Sequence, residues 1–268
     1  MKKQLQAGLI IEGNSTRSAV LRLPNIAEAL GPIKSRALRV ARRVSNVLRA
    51  GYPVAEYEGL QAAQLILIRI PDPEVPRIVE ELCRSELIFK KFSFVLCESW
   101  LPADVLNPLR ARGASVATLL NVPGTGSKWF VVEGQVPAVR QARRFIEANE
   151  SRALEIRPGT KKNYCAAMLL ATAVPVPLFL AAQRALRSSG ISGHHLHTLL
   201  NAMAQSMFRD LSKGGRAAWG DSFARCAADI TSLYFDALRL NHPHVADLLR
   251  EELSHARLQV SKAKGSSA

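Results

Sequence analysis

Residues 9 to 20 read LIIEGNSTRSAV, an apolar run followed by a turn with one glycine and a cluster of small polar side chains. A strand, tight turn and helix start of this outline is where glycine-rich loops bring backbone N–H groups against a pyrophosphate. Laid over G-x-G-x-x-G, the three glycine positions hold Glu12, Asn14 and Arg17. Gly13 stays inside the turn, and Asn14, Ser15 and Thr16 offer side-chain donors where a helix N-terminus favours an anion. Glu12 sets a carboxylate against such a ligand unless Arg17 or Arg22 neutralises it.

A second group is Lys34, Ser35, Arg36 and Arg39, where the chain is expected to leave its second strand. An acid at that strand end takes a ribose hydroxyl pair, whereas Arg favours a 2′-phosphate. A dinucleotide bound here would therefore be NADP, held by Gly13, Asn14, Ser15, Thr16, Arg17, Ser35 and Arg36. Pro71 and Asp72, at the end of a later apolar run, complete the set. Two plainer readings stand beside this one: a solvated basic helix face for the cations, and a helix N-cap for Asp72. Other chemistries lack their residues. His194 and His197 sit one helical turn apart, but no acid or cysteine at suitable spacing completes a metal site. No nucleophile elbow, Walker loop or C-x-x-C pair occurs.

The elements that must position these residues follow from the apolar pattern. AGLII, QLILIRI, FSFVLC, ASVATLL, WFVV and RALEI are short β-rich runs separated by amphipathic segments, which predicts a helix-covered α/β sheet. Residues 35 to 49 form one such helix, with Ser35 at its N-cap; 103 to 112, stopped by Gly113, and 137 to 149, opened by Pro137, are two more. After RPGTKK the strand signal ends. Helical patterns run over about 161 to 188 with a proline kink, then 193 to 211, 221 to 240 and 243 to 259. The predicted fold is an α/β Rossmann-like domain over residues 1–157 followed by an all-helical domain over 158–268.

The chain carries 36 Lys and Arg against 22 Asp and Glu, a net charge of +14. This suits phosphate-bearing ligands and equally a generally basic soluble protein. No aromatic residue interleaves the arginines of 36 to 49, and no nucleic-acid-binding module is visible, so nucleic acid is not an expected partner. The apolar run near the N-terminus breaks at Glu12, too short for a signal peptide. Together with four cysteines lacking a disulfide framework, this predicts a cytoplasmic protein. Residues 163 to 183 carry no charge and are long enough to span a membrane. Pro175, Pro177 and the many alanines favour a central buried helix instead.

The succession of LIIEGN, KSR, LILIRIPDPEVPRIVEEL, WLPADVLNPLRARGASVATL, WFVVEG, YCAAMLLAT and WGDSFARC resembles a family of uncharacterised bacterial Rossmann-like proteins. Its helical C-terminal domain is of the 6-phosphogluconate dehydrogenase type. Its relatives include pyrroline-5-carboxylate reductase, ketopantoate reductase and the deazaflavin-dependent NADP reductases. The resemblance implies an NADP-dependent dehydrogenase or reductase with a cleft between its two domains. It implies Lys162, Tyr164 and Asp221 as catalytic candidates, with Lys161 and Asn163 beside them. It also implies a homodimer that buries residues 163 to 183 through the helical domain. The chain departs from the family where Tyr-His has become Tyr164-Cys165, where Arg-Gly-Asp has become Trp219-Gly220-Asp221, and where His-Pro has become LLNVPG. These losses support an alternative, a degenerate Rossmann-like binding or regulatory module without redox chemistry.

Overall fold

The computed structural model of the 268-residue chain describes residues 6–13, 18–214, 228–240 and 242–251. The chain divides into two compact units, residues 1–168 and 169–268. The first is built on eight strands: β1 (Ala7–Ile11), β2 (Leu30–Lys34), β3 (Tyr52–Val54), β4 (Leu65–Arg69), β5 (Ser93–Cys97), β6 (Ser115–Asn121), β7 (Trp129–Gly134) and β8 (Arg152–Glu155). Their order in the sheet is β3-β2-β1-β4-β5-β6-β7-β8, and every pair is parallel except β6 with β7. The chain leaves β1 in one direction and returns to β4 on its other side. The crevice at the carboxyl ends of β1 and β4 is therefore the switch point where α/β sheets take ligands.

The continuous apolar runs have a physical reason. A parallel strand covered on both faces needs apolar side chains at every position. Leu9, Ile11, Leu67 and Val95 face α2 (Leu38–Leu48) and α5 (Val136–Ala148). Ile10, Ile66, Ile68 and Phe94 face α3 (Val75–Arg84) and α4 (Asn107–Ala111). Each such side chain, taken fully out of water, contributes about 1.5–3 kcal/mol. Gly113 ends α4 at φ +97°, and Pro137 lies in the first turn of α5, as their types require.

Three local expectations are corrected. The first crossover is not a regular helix among the described residues. A 3₁₀ turn at Val20–Arg22 leads to a four-residue α1 (Ile26–Ala29), because Pro24 cannot sit inside a continuous helix. Ser35 caps nothing: α2 begins at Leu38 behind an extended Ala37, since residues 35 to 37 are spent turning the chain out of β2. Asp72 does not cap α3 either; it opens a 3₁₀ turn, Asp72–Glu74, and α3 starts at Val75 with no side-chain cap.

α6 (Lys161–Thr172) starts in the first unit. The second unit contains α7 (Pro175–Ser188), α8 (Gly193–Gly214), α9 (Ala228–Arg239) and a helix over residues 243–251. The fold is thus an α/β Rossmann-like domain followed by helices. The apolar segment from Lys161 to Ser188, expected to be buried with the help of a second copy, is not covered within the single chain. Its most apolar stretch is 6% buried, with Leu170, Val176 and Leu180 at least half exposed. The prolines at the start of α7 break it in two, and beyond residue 168 only Ala181, Leu196 and Ala246 among the described apolar side chains are buried.

Candidate functional site

The carboxyl ends of β1, β2, β4 and β5 bring several of the expected residues together. At the end of β1, Glu12 N–H continues the ladder by donating to Arg69 O at 3.3 Å. Gly13 follows with φ +69°, a conformation that costs glycine nothing. A Cβ at Gly13 would lie 3.8 Å from Pro71 Cγ, so the first turn and the end of β4 are neighbours. Asn14, Ser15, Thr16 and Arg17 lie outside the described residues, as does Asp221.

At the end of β2, Ser35 is 1% exposed, and its hydroxyl is buried without a hydrogen-bond partner. Lys34 is buried too, its ammonium donating to Ser35 O at 3.0 Å and lying 4.9 Å from the centre of the Tyr57 ring. Arg36 is exposed, and its backbone N–H donates to Glu12 Oε1 at 2.6 Å. A buried hydroxyl with no partner costs about 1–3 kcal/mol. Its position at a strand end leaves it able to bond an arriving ligand oxygen.

Residues that sequence reasoning missed tie the other two strand ends together. Glu98 follows β5 with φ +54°. Its Oε1 accepts Ser18 Oγ–H at 2.8 Å and Val20 N–H at 3.1 Å, while Oε2 pairs with Arg69 Nε at 3.3 Å. One carboxylate therefore joins β4, β5 and the first crossover. Asp72 Oδ2 accepts the Trp100 N–H at 3.0 Å, linking the loops after β4 and β5.

The opening turn of α6 sorts its candidates by face. Lys161 is 2% exposed, whereas Lys162 is exposed. Lys161 N–H donates to Glu133 Oε1 at 3.1 Å, and its Nζ donates to Leu101 O at 2.5 Å. Burial holds the Lys161 ammonium below the usual lysine range, against the pull of nearby acidic groups including Glu133 and Asp72. Tyr164 and Cys165, three and four residues on, share its face. Burial raises both the Tyr164 phenol and the Cys165 thiol. A separate cavity of about 490 Å³ is lined by Asp104, Asn107, Arg110, Glu133 and Gln135, with Val116 placing it at the amino end of β6, away from Glu12 and Ser35. No group of His, Cys, Asp and Glu suited to a metal occurs among the described residues.

No protein-family model matches the sequence, and no curated protein sequence does either. Solved structures do match. An imine reductase from Myxococcus stipitatus in complex with NADP+ is 13% identical with a TM-score of 0.67, covering 95% of this chain and 98% of its own. A Thermotoga maritima protein is 17% identical with a TM-score of 0.65 and coverage of 95% and 99%. A pyrroline-5-carboxylate reductase from Coxiella burnetii is 12% identical with a TM-score of 0.61 and coverage of 97% and 98%. At these identities the shared property is the fold, and it extends over nearly the whole length of each chain.

Proposed function

We propose that the chain is an NADP(H)-dependent oxidoreductase of the reductase type acting on a small molecule. The observation that carries this reading is the buried, unpartnered Ser35 hydroxyl between Lys34 and Arg36, at the strand end where a dinucleotide-binding sheet receives the adenosine ribose. The complex of the Myxococcus stipitatus imine reductase with NADP+ supports it. Ser35 and Arg36 would take the 2′-phosphate; Gly13, Asn14, Ser15, Thr16 and Arg17 would hold the pyrophosphate, with Pro71 and Asp72 flanking the crevice. The bound nicotinamide would supply or accept the hydride. Tyr164, half-buried on the face of α6 that carries Lys161, is the candidate proton donor. Of the two lysines opening α6, the buried Lys161 suits a role beside it better than the exposed Lys162. Asp221 remains a further candidate.

The test is a thermal-shift titration. NADPH is expected to raise the melting temperature more than NADH does. No shift with either at millimolar concentration would reject the reading and favour the non-redox binding module.

We also propose that the protein is a cytoplasmic homodimer paired through its helical unit, independent of membranes and nucleic acid. The exposed apolar side chains of α7 and α8, among them Leu180, Met203 and Phe208, supply a surface for a second copy. Cys83, Cys97 and Cys165 are free thiols, in keeping with a reducing compartment.

A further inference from the structure

Glu12 stands at the first of the three places where a dinucleotide-binding turn carries glycine. Its main chain is fixed by the β1–β4 ladder through the bond from its N–H to Arg69 O. Its side chain reaches across to the end of β2, where Oε1 holds the Arg36 N–H at 2.6 Å. The partnerless hydroxyl of Ser35 and the buried Lys34 are the adjoining residues of that strand end. In sheets of this strand order, an acid at the end of the second strand takes the two ribose hydroxyls, and a cation takes a 2′-phosphate. This chain brings both residue types to one strand end, where the main chain of Arg36 and the carboxylate of Glu12 are in direct contact.

We propose, on the basis of the NADP(H) reading above, that Glu12 is a specificity-determining residue that limits the preference for NADP(H) over NAD(H). A 2′-phosphate must compete with the Glu12 carboxylate for the Arg36 N–H, and the two like charges repel at short range. A 2′-hydroxyl meets no such opposition and can donate a hydrogen bond to the same carboxylate. The carboxylate thus acts on the two coenzymes in opposite directions. A purely structural role would shift both equally.

The experiment is a fluorescence titration of full-length protein with NADPH and NADH, for wild type, Glu12→Gln, Glu12→Ala and Glu12→Asp. Glu12→Gln removes the charge but keeps an acceptor for the Arg36 N–H. It is expected to raise the ratio of the NADH to the NADPH dissociation constant about tenfold, by tightening NADPH and weakening NADH. Glu12→Ala should move the ratio the same way. Glu12→Asp, which draws the charge back by one methylene and disturbs packing least, should move it less. Binding of both coenzymes with an unchanged ratio, or with affinities that fall together, overturns the role of Glu12. Binding of neither coenzyme to any of the four proteins overturns the NADP(H) reading itself, a result distinct from the first.

Discussion

Glu98 accepts from a hydroxyl and a backbone N–H and pairs with a guanidinium, so truncating it leaves two donors without their acceptor and a partly buried cation without its counter-charge. Glu98→Ala is expected to destabilise the protein by about 2–4 kcal/mol in denaturant unfolding, and Glu98→Gln, which keeps an acceptor, by less than half as much. Lys161 gives a pH signature. Its ammonium is held below 10.5, chiefly by burial, so the folded chain releases this proton before the unfolded chain does. Between the lowered value and 10.5 the unfolded state binds more protons, and the unfolding free energy rises with pH; below that window the buried charge is a standing cost. Lys161→Met should lose this rise, read as the difference in slope between variant and wild-type stability profiles. These residues differ in how far the sequence reveals them. Lys34, Ser35 and Arg36 are adjacent and follow an expected strand, so their cluster is legible. Ser35 is misread as a cap because no local rule says how many residues the chain needs to leave β2. Glu98 is invisible in sequence because its partners Ser18 and Val20 lie 80 and 78 residues away.

Among the elements, the buried strands are the most legible, since β1, β4 and β5 each carry apolar residues on both faces. β3 escapes notice: three residues, one of them Pro53, hold no period. The first crossover is misjudged because the turn before it looks like a helix start while Pro24 interrupts any helix running through it. The β7 to α5 junction rests on one residue. Gly134 has φ +153°, and a Cβ there would stand 2.4 Å from Val116 O and 2.5 Å from Ala117 Cα, both backbone atoms of the neighbouring strand. Gly134→Ala should therefore cost roughly 2–3 kcal/mol and lower the thermal midpoint, with β6 and β7 forced apart where Gln135 returns to Val116.

For the whole molecule, the fold class was readable from the alternation of short strands with amphipathic segments and its abrupt end after residue 160. The apolar segment, expected to be covered by a second copy, lies exposed in the single chain, where a helix apolar all round exceeds what one small helical unit can cover. If a second copy covers it, Leu170, 64% exposed in the single chain, lies on the shared surface. Leu170→Asp is then expected to yield monomer in multi-angle light scattering where the wild type gives dimer; a monomeric wild type, or one that fractionates with membranes, refutes the pairing. The two ends of the sheet bear on how copies can meet at all. One edge strand is three residues with a proline in its middle, and the other is four residues with Arg152 and Glu155 at its ends. Neither offers a long row of open backbone groups for strand addition. A short segment of high β-propensity, LILIR of β4, is interior, covered on both sides by neighbouring strands. It becomes available only when the sheet itself comes apart, so the native protein is guarded against fibre-like growth by its strand order, and that hazard belongs to the unfolded chain.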